Sequence, residues 1–156
     1  MSPATTPTRS LSRRGLLARL LGCLALPWLS GVARAARPSR AFAAEDTATV
    51  LRELYGRDSL PESDKIRIGV AKLAENGAVV PVKVDVDLPH VDDITLIAVR
   101  NPVPLVARFA FGPPTRPFVA TRIKLAETGE ILAIARSGEE LLLARATVEV
   151  TVGGCG

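Results

Sequence analysis

From residue 65 to residue 152, apolar and polar residues trade places at every second position, in short segments cut by turn residues. A period of two sends alternate side chains to opposite faces of a strand, so each segment can bury one face and wet the other. Ile66, Ile68 and Val70 alternate with Arg67 and Gly69, and Val82, Val84 and Val86 alternate with Lys83, Asp85 and Asp87. Further strands are expected over 94–99, 105–111, 118–125, 131–135 and 140–152. Asn101-Pro102-Val103-Pro104, the Pro-rich stretch 112–117, Thr128-Gly129-Glu130 and Ser137-Gly138-Glu139 supply the breaks between them. Asn76-Gly77 is expected to close a hairpin. Ahead of the strands, Val50, Leu51 and Leu54 stand at helical spacing and Gly56 follows, which predicts one short helix over 47–55. Seven or eight short strands at this spacing specify an all-β fold: an immunoglobulin-like antiparallel β-sandwich with a short N-terminal helix.

The two ends of the chain have a different character. Ser12-Arg13-Arg14-Gly15-Leu16-Leu17 has the form of a twin-arginine export signal, and an apolar stretch over 16–32 follows it. Ala33-Arg34-Ala35 and Ala41-Phe42-Ala43 both offer the small-x-small pattern of a cleavage site. The expected organisation is an export signal over 1–43, with Ala35 as the other cleavage point, a sandwich domain over 44–152, and a flexible arm over 153–156. Arg19, Pro27 and Gly31 interrupt the apolar stretch, which argues against a membrane span. Leu20-Leu21-Gly22-Cys23 has the look of a lipoprotein box, but the apolar run before it is short, so Cys23 is expected to leave with the signal. The mature protein is then periplasmic and free of the membrane. Removing residues 1–43 takes away seven of the 20 basic residues and none of the 16 acidic ones, leaving 13 against 16. A mildly acidic protein has no electrostatic reason to bind nucleic acid.

The C-terminal run is Val152-Gly153-Gly154-Cys155-Gly156. A thiol set among glycines at a chain end has no packing role, because its neighbours bring no side chains and chain ends fray unless tied down. With Cys23 gone, Cys155 has no intramolecular partner. An odd cysteine in an oxidising compartment points to intermolecular pairing or to a free reactive thiol. Other chemistry-bearing groups are few. One histidine, His90, and no methionine beyond Met1 exclude a blue-copper site, and no ligand spacing supports zinc, so neither a metal nor a cofactor is expected. Asp85, Asp87, Asp92 and Asp93 crowd one turn and are expected to be a solvated loop. Arg122 and Lys124 alternate along a strand, where they face solvent and either attract an anion or blunt a sheet edge. Three functions fit these residues: a covalent carrier on Cys155 with no catalytic residues of its own, an exported sandwich that dimerises through a Cys155 disulfide, and a thiol-dependent enzyme pairing Cys155 with His90.

Four stretches share one further likeness: 72–82 around Glu75-Asn76-Gly77-Ala78, Arg100-Asn101-Pro102-Val103-Pro104, Thr121-Arg122-Ile123-Lys124-Leu125-Ala126, and the cysteine-bearing tail from Val148. Together with the leader, they resemble SoxY, the sulfur-carrier subunit of the periplasmic Sox system of thiosulfate oxidation. The resemblance implies a heterodimer with a SoxZ-like subunit. It implies that Cys155 is the covalent attachment site and that Gly153, Gly154 and Gly156 form its flexible arm. It also implies three enzyme partners: a haem protein that couples thiosulfate to the thiol, a hydrolase that releases sulfate, and a sulfur dehydrogenase. The chain departs from the family's Gly-Gly-Cys-Gly-Gly arm by stopping after one trailing glycine.

Overall fold

A computed structural model describes residues 38–113 and 115–151. Eight strands form two sheets. β1 (Ile66–Gly69), β3 (Val80–Val86) and β6 (Phe118–Ile123) make a three-stranded sheet in the order β1-β3-β6. β2 (Leu73–Ala74), β4 (Asp93–Ala98), β5 (Leu105–Ala110), β7 (Gly129–Ser137) and β8 (Glu140–Val150) make a five-stranded sheet in the order β2-β8-β7-β4-β5. Neighbouring strands are antiparallel except at the short β2–β8 contact, which is parallel. The immunoglobulin-like sandwich with a short N-terminal helix is therefore the observed architecture.

The expected alternation is seen where one face of a strand meets water. In β3, Val80, Val82, Val84 and Val86 are buried while Pro81 and Lys83 are exposed. They meet Ile94, Leu96 and Ala98 of β4, Ile131, Ala133 and Ala135 of β7, and Leu142 and Val148 of β8 in the core between the sheets.

β4 departs from the alternation, since all six of its residues are buried. The cause is a second apolar layer on the outer face of the five-stranded sheet. There Ile97, Leu105, Leu132, Ile134, Leu141 and Leu143 pack against Val50 and Leu51 of the single described α-helix, α1 (Thr47–Tyr55). Burying Val50 and Leu51 stabilises the fold by about 1.5–3 kcal/mol each. Asp46 caps the helix, its Oδ1 accepting the Thr49 amide at 2.8 Å, and that bond lowers the Asp46 pKa. Gly56 closes it at φ 66°, donating its amide to the Arg52 carbonyl. The layer also includes Ala41, which is fully buried, and Ala44. Packed structure thus begins ahead of the expected boundary at 44.

The Asn76-Gly77 hairpin is not formed. Residues 75–79 lead from β2 in one sheet to β3 in the other, and those two strands do not pair. Asn76 does turn the chain, accepting the Ala78 amide on its side chain at 2.8 Å, but Gly77 is not among the glycines of positive φ. Its carbonyl instead takes the Leu125 amide. The true two-residue hairpin is Gly138-Glu139 between β7 and β8, closed by the Ser137–Glu140 pair, with Gly138 at φ 59°.

Tyr55 at the end of α1 donates its hydroxyl to Thr95 Oγ1 on β4 at 2.8 Å. Burial pushes its pKa up to about 12 from 10.0, against the opposing effect of the Thr95 bond. The unfolded chain releases this proton near pH 10 and the folded chain near 12. The associated stability is therefore complete below pH 10 and is lost as the pH rises from 10 through 12, on the order of 2 kcal/mol in all. Tyr55 is the sole tyrosine of the chain. An absorbance titration is expected to show one phenolate appearing near pH 12, and Tyr55→Phe should remove that part of the alkaline loss of stability.

Candidate functional site at the end of the last strand

β8 is the longest strand, with 11 residues, and it is held on both sides. Along its length it pairs with β7, from Ser137–Glu140 to Gly129–Val148. On its other side, Leu73 and Ala74 pair with Glu149 and Val150, with the Glu149 amide donating to the Lys72 carbonyl at 2.8 Å. The ties continue past the last β7 pair. The Val150 amide donates to Thr128 Oγ1 at 2.9 Å, the Thr151 amide to the Ala74 carbonyl at 3.1 Å, and the Thr151 hydroxyl to the Glu75 carbonyl at 3.2 Å. Backbone and side-chain bonds thus hold the chain through Thr151. Cys155 and the arm glycines Gly153, Gly154 and Gly156 lie outside the described residues, as does Cys23. At an extended rise near 3.3 Å per residue, Cys155 is within about 13 Å of Thr151.

His90 is at the other end of the sandwich. Asp92, two residues on, accepts the Gly138 amide at 2.8 Å and donates its own amide to the Arg136 carbonyl, which places it beside the β7–β8 turn. From that turn to Val150, β8 advances about 33 Å at a strand rise of ~3.3 Å per residue. A cleft of about 650 Å³ with His90, Phe111, Pro113 and Arg116 in its wall opens at this far end. The arm cannot span that length, so Cys155 and His90 of one molecule do not form a catalytic pair.

The aspartates divide. Asp87 and Asp92 are exposed, as expected of a solvated loop. Asp85 is half-buried and paired with Arg116 at 2.9 Å and Arg67 at 3.6 Å. Asp93 overturns the solvated-loop expectation. It is 1% exposed, and its Oδ2 accepts from Arg108 Nη2 at 2.7 Å and Arg136 Nε at 2.8 Å. The register explains this. Asp93 pairs with Arg136 on one side, Arg108 lies opposite Thr95 on the other, and all three fall in the layer beneath α1. The hydrogen bond that Arg108 donates to Asp93 raises the Arg108 pKa. Asp85 and Asp93 thus hold arginines, and among the described residues no cluster of His, Cys, Asp or Glu could hold a metal ion. Arg122 is exposed on β6, an edge strand of its sheet, and Lys124 is exposed just past it.

Sequence reasoning missed the threonines that tie the end of β8. Thr128 and Thr151 carry no pattern that separates them from ordinary turn and strand residues.

The model of the family described as "Sulfur oxidation protein SoxY" matches residues 51–155, a span that includes the cysteine. Among solved structures, the sulfur carrier protein SoxY from Chlorobium limicola f thiosulfatophilum is 34% identical, with a TM-score of 0.61 over 70% of this chain and 96% of that one. A superoxide reductase (neelaredoxin) from Ignicoccus hospitalis is a looser likeness, 27% identical with a TM-score of 0.47 over 55% of this chain and 80% of that one. None of the curated proteins matches.

Proposed function

Because the chain belongs to the SoxY family of sulfur oxidation proteins, we propose that it carries thiosulfate-derived sulfur covalently on the Cys155 thiol and hands it between enzymes without turnover of its own. The observation that carries this reading is the doubly tied end of β8, with a glycine-flanked thiol following four residues after Thr151. A fixed base sets where the thiol can go. Gly153, Gly154 and Gly156 place no bulk beside it, so a narrow active site can admit it. The ordering entropy of such an arm is spent at every docking, which keeps each encounter weak and favours release to the next enzyme.

The chemistry needs a thiolate that an enzyme can reach. In loading, the thiol gives up its proton and two electrons as its sulfur bonds to the outer sulfur of thiosulfate, and a haem protein takes the electrons. In the next step water attacks the terminal sulfonate, hydrogen sulfate leaves, and a persulfide remains on Cys155. A sulfur dehydrogenase then takes six electrons from that sulfane sulfur as three waters supply its oxygens, and a second hydrolysis releases it as sulfate and restores the Cys155 thiol. A SoxZ-like subunit completes the heterodimer. Mass spectrometry of protein from cells supplied with thiosulfate tests the reading. Adducts confined to Cys155 are expected, and an unmodified Cys155 throughout sulfur oxidation would sink it.

The leader places the carrier in the periplasm by the twin-arginine route. Of the two cleavage patterns, the one at Ala35 agrees with the packing. Cleavage after Ala43 would strip out Ala41, which is 0% exposed in the layer beneath α1, and would leave its neighbours uncovered. N-terminal sequencing of the mature protein is expected to begin at Ala36. A start at Ala44 would show that the layer closes without Ala41.

A further inference from the structure

We infer that the end of the sandwich around Thr151 is the docking surface for the enzymes that act on the thiol, with Leu73, Val79 and Val103 as its apolar contacts. This rests on the carrier reading above and adds where the clients bind. Four large apolar side chains stand exposed among the described residues: Leu73 at 51%, Val79 at 54%, Val103 at 44% and Phe118 at 42%. Single exposed apolar residues are ordinary on a protein surface. Their placement here is not scattered. Leu73 lies in β2 opposite Glu149. Val79 lies in the connection whose Gly77 carbonyl takes the Leu125 amide. Val103 lies in the β4–β5 turn, where Asn101 holds the 124–126 segment through the Lys124 carbonyl and the Ala126 amide, each at 2.8 Å. All three segments sit where β8 ends, although they come from separate parts of the chain. Phe118, which opens β6 opposite Asp85, is at the far end.

Core packing does not account for these three. Ala74 and Val80, next to Leu73 and Val79, already supply the buried side chains of their segments, and Pro104 is buried where Val103 is not.

The length of chain beyond the described residues selects the occupant. Five residues follow Thr151 and the thiol is on the fourth, so it reaches about 13 Å from its base when fully extended. An enzyme that takes the sulfur into a recessed site must bring the mouth of that site within this distance, and so must press on this end. The partner that fits is a protein with a thiol-admitting channel and an apolar mouth. Exposed charges of both signs surround the three apolar residues (Lys72, Arg100 and Lys124 against Glu75, Glu127 and Glu149), so net charge does not select the partner and apolar contact leads. A small contact of this kind suits a transient encounter.

The test uses the carrier with its partner subunit, charged at Cys155 with tetrathionate, which transfers a thiosulfonate to the thiolate and releases thiosulfate. The sulfate-releasing hydrolase is then given Leu73→Asp, Val79→Asp, Val103→Asp and, as a control, Phe118→Asp. Each of the first three is expected to lower kcat/KM for sulfate release by about tenfold, through KM, the size typical of a single well-packed interface contact. Phe118→Asp should be unchanged, and alkylation of reduced Cys155 by iodoacetamide should be the same in all four. Equal sulfate release from every variant, or an equal loss with Phe118→Asp, would overturn the inference. So would altered alkylation, which would mean that the arm itself covers these residues, loss of a self-dimer, which would mean that a second copy does, or loss of the partner subunit on size-exclusion chromatography, which would mean that the heterodimer seam does. If the hydrolase fails on the unsubstituted charged carrier, the carrier reading falls. If it works equally on all variants, only the docking surface falls.

Discussion

Cys155→Ala should reduce thiosulfate-dependent loading to background while leaving the sandwich as stable as before. The loss should be complete because the chain has one other cysteine, Cys23, and that lies in the segment proposed to be removed on export. His90 cannot substitute, since it and its cleft sit some 33 Å along β8 from the base of the arm at a strand rise of ~3.3 Å. Stability should shift by no more than about 0.5 kcal/mol, as for surface changes far from packed groups, because the bonds described at the end of β8 are made by residues up to Thr151 and none needs the Cys155 side chain. Adduct mass and a denaturant titration of the same variant measure the two halves separately. Retained loading would refute the carrier reading, and a large loss of stability would show that the arm packs on the domain.

The second large effect is expected at the buried ion cluster. Replacing Arg108 and Arg136 together by alanine should destabilise the fold by about 3–5 kcal/mol, the cost of stranding a buried charge. Asp93 is 1% exposed and its Oδ1 has no hydrogen-bond partner, so both guanidinium contacts fall on Oδ2. With either arginine alone the carboxylate keeps a partner, so each single substitution should cost less than half of the double. Asp93→Leu added to the double variant should restore part of the loss, because it removes the uncompensated charge. Unfolding midpoints in urea across this set measure the coupling. Additive single effects with no recovery would show that the cluster is not a unit.

What could be read from the sequence varied with how local the cause was. The alternation in β3 and the capped helix over 47–55 were legible because their signals lie within a few residues. β4 was placed correctly as a strand, but its burial on both faces depends on α1, about forty residues earlier in the chain. The same distant cover turned Asp93 from an expected loop residue into the centre of a buried ion cluster. Asn76-Gly77 misled for a related reason. The dipeptide encodes a change of direction, and the Asn76 side chain delivers it, but sheet membership decides whether the flanking strands pair. At the candidate site the glycine-flanked Cys155 stands out in the sequence without any fold, but it lies outside the described residues. The hydroxyls of Thr128 and Thr151 do not stand out, because threonine is equally common in strands and turns that anchor nothing.

The position of β8 between β7 and β2 has a mechanical consequence. On the proposed carrier role, traction on the Cys155 sulfur would run along the strand axis, where the nine rungs shared with β7 resist together in shear and are not peeled one at a time. Such a carrier would be drawn out of a tight channel by its tail without unravelling from that end.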